Sequence, residues 1–198
     1  LNGLVTDRYK SNYDKFPVVV IDEREVIISG WDRIISKIKE VQSQSIVIEC
    51  YHGVVVNLII SKLELYFSEG NIFSTERGFR QEALMDDFLE PFLSEDRIFG
   101  RMNDLNLEVY FDDTELNKMR KEWRQAKGVK IAIGVGASLL CLDPDLFIYA
   151  DMPRWEIQKK FRKGVLGNIG AINAGEDFFR LYKRAYFCDW RACDRMKQ

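Results

Sequence analysis

Three short stretches carry the residue types that could handle a phosphate. Tyr51-His52-Gly53-Val54 lies between an apolar run and a long apolar segment. Gly134-Val135-Gly136-Ala137-Ser138 follows a second apolar run, and Arg154, Lys159, Lys160, Arg162 and Lys163 are spread over a segment opened by Pro153. Glycines let a turn bring its backbone close to another group. The start of a helix offers N–H groups to an anion, and basic side chains neutralise it. The candidate phosphate-binding residues are therefore Tyr51, His52, Gly53, Val54, Gly134, Gly136, Ser138, Arg154, Lys159 and Arg162. Each has a plainer reading: a strand-to-helix turn, tight packing of strand on helix, or a solvated basic face. No residue is assigned a catalytic role.

The phosphate loop GxxxxGK[ST] combines backbone donors with a lysine and a Mg²⁺-binding hydroxyl. The corresponding stretch here, Glu49-Cys50-Tyr51-His52-Gly53-Val54-Val55-Val56, retains one glycine, and valines stand where the lysine and hydroxyl belong. Gly134-Val135-Gly136 is not GxGxxG, because Leu139 takes the third glycine's place. Ser138 has no histidine at a spacing suited to nucleophilic hydrolysis. The single histidine and the four cysteines, without a CxxC pair, do not suggest zinc. Asp86-Asp87 and Asp112-Asp113 are acidic pairs, but they read more simply as an exposed helix face and a helix cap.

The elements that must position these residues follow from hydrophobic spacing. Residues 16–21 (FPVVVI) read as a strand that returns over 26–29 as a hairpin. A helix over 30–41 buries Trp31, Ile34, Ile35, Ile38 and Val41. Residues 45–50 form a strand and 54–67 an apolar helix. Thr75 is expected to cap a helix carrying Phe79, Ala83, Leu84, Phe88 and Leu89. Alternation over 105–111 predicts a half-buried strand. A helix capped by Asp113 or Thr114 runs to Lys127, closed by Gly128. Residues 130–133 and 146–150 are strands, 153–163 a basic helix and 164–175 a mobile glycine-rich loop. The tail 186–197 suits either a strand or a helix. Apolar strands alternating with helices predict a three-layer α/β domain with a mainly parallel sheet and an added N-terminal β-hairpin. Residues 1–29 would be the arm and hairpin, and 30–198 the α/β domain.

The chain has 198 residues, is 46% hydrophobic and carries a net charge of −2. That suits a single domain with a substantial core and gives no global attraction to nucleic acid or membrane. No apolar run reaches membrane-spanning length, and cysteine usage fits a reduced, cytoplasmic setting.

The runs GVGASLL, DLFIYADMPRWEIQKKFRKG and YKRAYFCDWRACDRMK, with IVIECYHGV and SEDRIFGRM, resemble the N-terminal domain of two-domain bacterial class I mannose-6-phosphate isomerases. The order of strands, small-residue loop and basic helix is similar, more distantly, to uridine-kinase-like P-loop kinases. The resemblance implies a P-loop-kinase-like fold, a degenerate phosphate site and, as a partner, a zinc-dependent cupin isomerase domain or protein. The ligand it implies is a phosphorylated small molecule, such as a nucleotide with Mg or a sugar phosphate, with no zinc in this chain. A homodimer is a further partner to consider. Two other functions remain open: an active nucleoside or sugar kinase, and a ligand-free docking or dimerisation module.

Overall fold

The computed structural model describes Val18, Val20 and residues 27–197. Four strands, β1 (Ser45–Cys50), β2 (Asn71–Ser74), β3 (Lys130–Gly134) and β4 (Leu146–Ala150), form one sheet in the order β2-β3-β1-β4. Every pairing is parallel, with Ile46 opposite Ile131 and Leu146, and Ile48 opposite Ile133 and Ile148.

Strand alternation then fixes the layers, because successive side chains point to opposite faces. Ile46, Ile48, Cys50, Ile131 and Ile133 share one core with α1 (Trp31–Glu40) and α2 (Val56–Tyr66). On the other face, Val47, Tyr51 and Ala132 join a larger core built from α3 (Glu82–Leu89), α4 (Asp113–Gln125), α5 (Arg154–Arg162), α6 (Phe178–Arg184) and α7 (Trp190–Arg195). The expected three-layer parallel α/β architecture is present. All four strands run the same way, so their C-terminal ends open on one edge, where ligands of such sheets sit.

Several expectations change. The proposed hairpin lies mostly outside the described residues, and residues 27–29 form no strand. β2 has no counterpart in the sequence reading: four half-buried residues are too few to show a period. Ser74, not Thr75, caps the 3₁₀ turn Thr75–Gly78, and α3 begins only at Glu82. The alternation over 105–111 is not a strand. Its centre is the 3₁₀ turn Leu107–Tyr110, and only Phe111 makes a bridge, to Phe79. Asp112 caps α4 by accepting from the Thr114 and Glu115 N–H groups. On α1, Ile35 and Ile38 are buried, whereas Ile34 and Val41 are exposed. The tail is helical as far as Arg195, with a π-helical turn, Ala185–Asp189, joining α6 to α7.

Candidate functional site

The loop between β1 and α2 stands at the open edge of the sheet. The Tyr51 N–H donates to the Ala150 carbonyl (2.8 Å), continuing the β1–β4 ladder by one residue. The chain then turns at Gly53 (φ +90°), where a Cβ would lie 2.9 Å from Ile157 and close to Leu166 and Met152. Val54 N–H bonds back to the Tyr51 carbonyl, and α2 starts without a side-chain cap. Among the described residues, the N–H groups of Gly53, Val55 and Asn57 have no acceptor. These are the orphan donors of a helix start, where the helix dipole adds partial positive charge.

A cavity of about 550 Å³ opens beside this loop. Residues 51–54 and Val56 form one side, Glu76 and residues 79–82 face them, Val135 lies between, and residues 166–172 complete the wall. Its charged side chains are Glu76, Glu82 and Arg80. The Arg80 guanidinium is engaged with the Val109 and Phe111 carbonyls (3.1 and 2.8 Å).

The sequence-predicted residues take up unequal roles. His52 is buried, and both its ring nitrogens have partners. The Trp190 indole N–H donates to Nδ1 (3.2 Å), so Nε2 carries the proton and donates to the Gly167 carbonyl (2.9 Å). Burial holds its pKa below the ordinary histidine value, although Asp189 pulls the other way. It is a neutral strut between two loops, not a free anion ligand. The Tyr51 hydroxyl donates to Asp194 (3.0 Å) and accepts from Arg154 Nε (3.1 Å), and burial pushes its pKa up.

Gly134–Ser138 was expected to present donors to a ligand; the fold supplies its own acceptor instead. Buried Glu49 accepts from Gly136 N–H (2.6 Å), Ser138 N–H (2.8 Å) and the Ser138 hydroxyl (2.9 Å). Burial raises its pKa, and the three hydrogen bonds oppose that shift. Gly136 takes φ +78°, which L side chains rarely adopt, and thereby delivers its N–H to Glu49.

The basic helix also differs from expectation. Arg154 pairs with Asp194 (2.5 Å), tying α5 to α7. Lys159 pairs with Glu156 (2.8 Å), and Arg162 stacks on Phe178 (4.0 Å to the ring centre). None of the three lines the cavity, and neither does Lys160. Arg154 reaches the Tyr51 side chain, and Lys160 reaches the loop's backbone: its ammonium donates to the Gly53 carbonyl (2.6 Å). Its spacing is the available sequence signal, since Ile157 and Phe161 are buried and position 160 lies on that flank of the helix.

The loop 164–175 is pinned at its centre, contrary to the expected mobility. Asn168 donates to Asp189 (2.9 Å) and to the Leu181 carbonyl (3.0 Å), and Arg184 holds the Ile169 carbonyl (2.8 Å). Farther along, Ile172 N–H donates to Glu82 (3.2 Å). Asp189 is completely buried; it also accepts from the Tyr110 hydroxyl (3.1 Å) and lies 3.6 Å from Arg184 Nε. The tail therefore supports both cavity walls: Asp189 holds 168–169, Trp190 holds His52, and Asp194 holds Tyr51. Sequence reasoning missed Glu49, Asn168, Asp189, Trp190 and Asp194. A charged residue inside an apolar run was the signal for Glu49 and Asp189.

Among the described residues, no group of three or more His, Cys, Asp or Glu side chains is placed to hold a metal ion. Nor is any helix there long and apolar enough to cross a membrane.

Fold and edge together define a parallel α/β domain with a preformed crevice at the carboxyl ends of its strands. Residues 30–198 match the family described as "Domain of unknown function (DUF8485)", and the chain belongs to that family. No curated protein and no solved structure matches it.

Proposed function

We propose that this chain is a degenerate P-loop-kinase-like domain that binds a phosphorylated small molecule, a nucleotide or sugar phosphate, in the crevice at the open sheet edge. The observation that carries this reading is the cavity beside the β1–α2 loop, with the Gly53, Val55 and Asn57 N–H groups unclaimed among the described residues. The phosphate would sit at the Gly53 N–H, the one of these donors whose residue lines the cavity. The hydroxyl-bearing end would lie toward Glu76 and Glu82, whose charges disfavour a second anionic group there. Val54 and Val55 supply neither ammonium nor hydroxyl, so the reading is binding without efficient phosphoryl transfer, a step that depends on electrostatic clamping. A cupin isomerase domain or protein is the partner proposed from the sequence resemblance, and any zinc chemistry would belong to it.

A second reading, a docking module without a small ligand, is favoured by the apolar side chains of Ile157, Leu166 and Met152 closing over Gly53. A thermal-shift screen of nucleotides with and without Mg²⁺, and of sugar phosphates, separates the two. Binding to the folded state alone raises the unfolding midpoint. A saturable rise for one phosphorylated class is the expected result; no shift from any of them leaves the docking module standing.

A further inference from the structure

The buried and half-buried cations of α5–α7 follow a pattern with one exception. Arg154 faces Asp194, Arg184 faces Asp189 and Asp86, and Arg191 bonds the Tyr186 carbonyl and lies 3.9 Å from Asp194. Lys183 is held by the carbonyls of Leu93, Ser94 and Asp96, and Arg195 by Asn103, Leu105 and Arg191. Each has a carboxylate or several acceptors. Half-buried Lys160 has one neutral acceptor, the Gly53 carbonyl, and no carboxylate partner among the described residues. An ammonium carries three donors, so most of its hydrogen-bonding capacity is unused where water is partly excluded.

Its place is held firmly. Ile157 packs beneath Gly53, Phe161 lies against the His52 ring (5.7 Å between centres), and the Arg154–Asp194 pair anchors the start of the helix. The Lys160 Cα is thus fixed beside the loop while its four-carbon stem can swing. The loop lacks a cation of its own; Arg154 reaches its Tyr51 hydroxyl, and Lys160 is bonded to its backbone, at the Gly53 carbonyl.

We infer that Lys160 is the phosphate-binding cation of this crevice, supplied by α5 in place of the lysine the β1–α2 loop lacks, with its ammonium parked on the Gly53 carbonyl until an anion arrives. The inference rests on the reading of the crevice as a phosphate site. It assigns the basic helix one residue of contact, and that residue is neither Arg154 nor Arg162.

The test is calorimetric titration of the full chain with inorganic pyrophosphate, comparing wild type with Lys160→Met, Lys160→Arg and the exposed control Lys163→Met. Affinity should fall at least tenfold in Lys160→Met, stay within about threefold in Lys160→Arg and be unchanged in Lys163→Met. Pyrophosphate should also slow acylation of Lys160 by an amine-reactive ester, read by peptide mass spectrometry, while Lys163 reacts as before. This measurement needs no variant to fold. Equal pyrophosphate binding by wild type and Lys160→Met, or no protection of Lys160, overturns the inference and leaves the phosphate site standing. No pyrophosphate binding by wild type also overturns it, and the ligand screen then decides whether the site reading falls as well.

Discussion

Two glycine-bearing turns leave neighbouring strands of the same sheet edge, and they have opposite fates. At Gly134–Ser138, two backbone N–H groups and a hydroxyl converge on a carboxylate, and the carboxylate is Glu49 from the adjacent strand. At the β1–α2 loop, three N–H groups have no acceptor among the described residues, and a cavity lies alongside. Both turns have the donors an anion needs. The difference is what the fold places opposite them: an internal anion in one case, open volume and a lysine in the other. A donor-rich turn is thus a ligand site only where its own fold leaves the donors unanswered.

The comparison can be broken first by emptying the filled turn. Glu49→Ala removes the acceptor of a buried N–H group, a part-buried N–H group and a hydroxyl, and leaves a small cavity. Unsatisfied buried donors cost roughly 1–3 kcal/mol each, partly offset by relief from burying a charge, so a loss of about 3 kcal/mol is expected in urea unfolding. Added acetate should raise the unfolding midpoint of the variant more than that of the wild type, because the missing atoms have acetate's shape and charge. A variant as stable as wild type, or one indifferent to acetate, would remove the claim that Glu49 is the turn's own anion.

The open turn is next. Gly53→Ala places a methyl group 2.9 Å from Ile157 at φ +90°, a backbone conformation L-residues rarely adopt. Strain of this kind costs roughly 1–3 kcal/mol, so a loss near 2 kcal/mol is expected in the same unfolding experiment. Pyrophosphate binding should weaken as the loop shifts away from Lys160.

The contrast between the turns also sorts what was legible in the sequence. Spacing was enough for β1, β3, β4, the helices beside them and the parallel three-layer arrangement, because long apolar periods reflect burial directly. It placed both turns at one sheet edge for the same reason. It could not tell which turn was already filled, since Glu49 and Ser138 lie 89 positions apart and only the parallel register of β1 against β3 brings them together. It overvalued Arg154 and Arg162 because a run of basic residues looks alike from outside, and their partners, Asp194 and Phe178, lie in another part of the chain. His52 was weighed as an anion ligand because it stands in the β1–α2 loop; burial beside Trp190 makes it a strut.

The smallest expected effect concerns that strut, and it asks whether the open turn draws anions through charge on His52. Burial lowers the His52 pKa below its unfolded value of about 6.5. Below that pH the unfolded chain takes up a proton that the native imidazole resists. The stability linked to His52 is therefore fully present above about pH 6.5 and lost as pH falls beneath it, by at most ~1.4 kcal/mol per pH unit. Glu49 works in the opposite sense: its raised folded pKa lets the native state bind the extra proton, so its contribution grows as pH falls. A single stability curve mixes the two. His52→Gln separates them, because an amide can accept from Trp190 and donate to Gly167 without titrating. The wild-type minus variant difference from urea unfolding should be flat from pH 8 to about 7 and then shift against the wild type toward pH 5. Pyrophosphate affinity, corrected for protonation of the ligand itself, should rise no more over the same interval in the wild type than in His52→Gln, because burial resists protonation of the native imidazole. A difference that is flat throughout, together with binding that tightens in acid, would mean that His52 titrates freely in the folded chain, and the open turn would then owe its anion preference to the histidine.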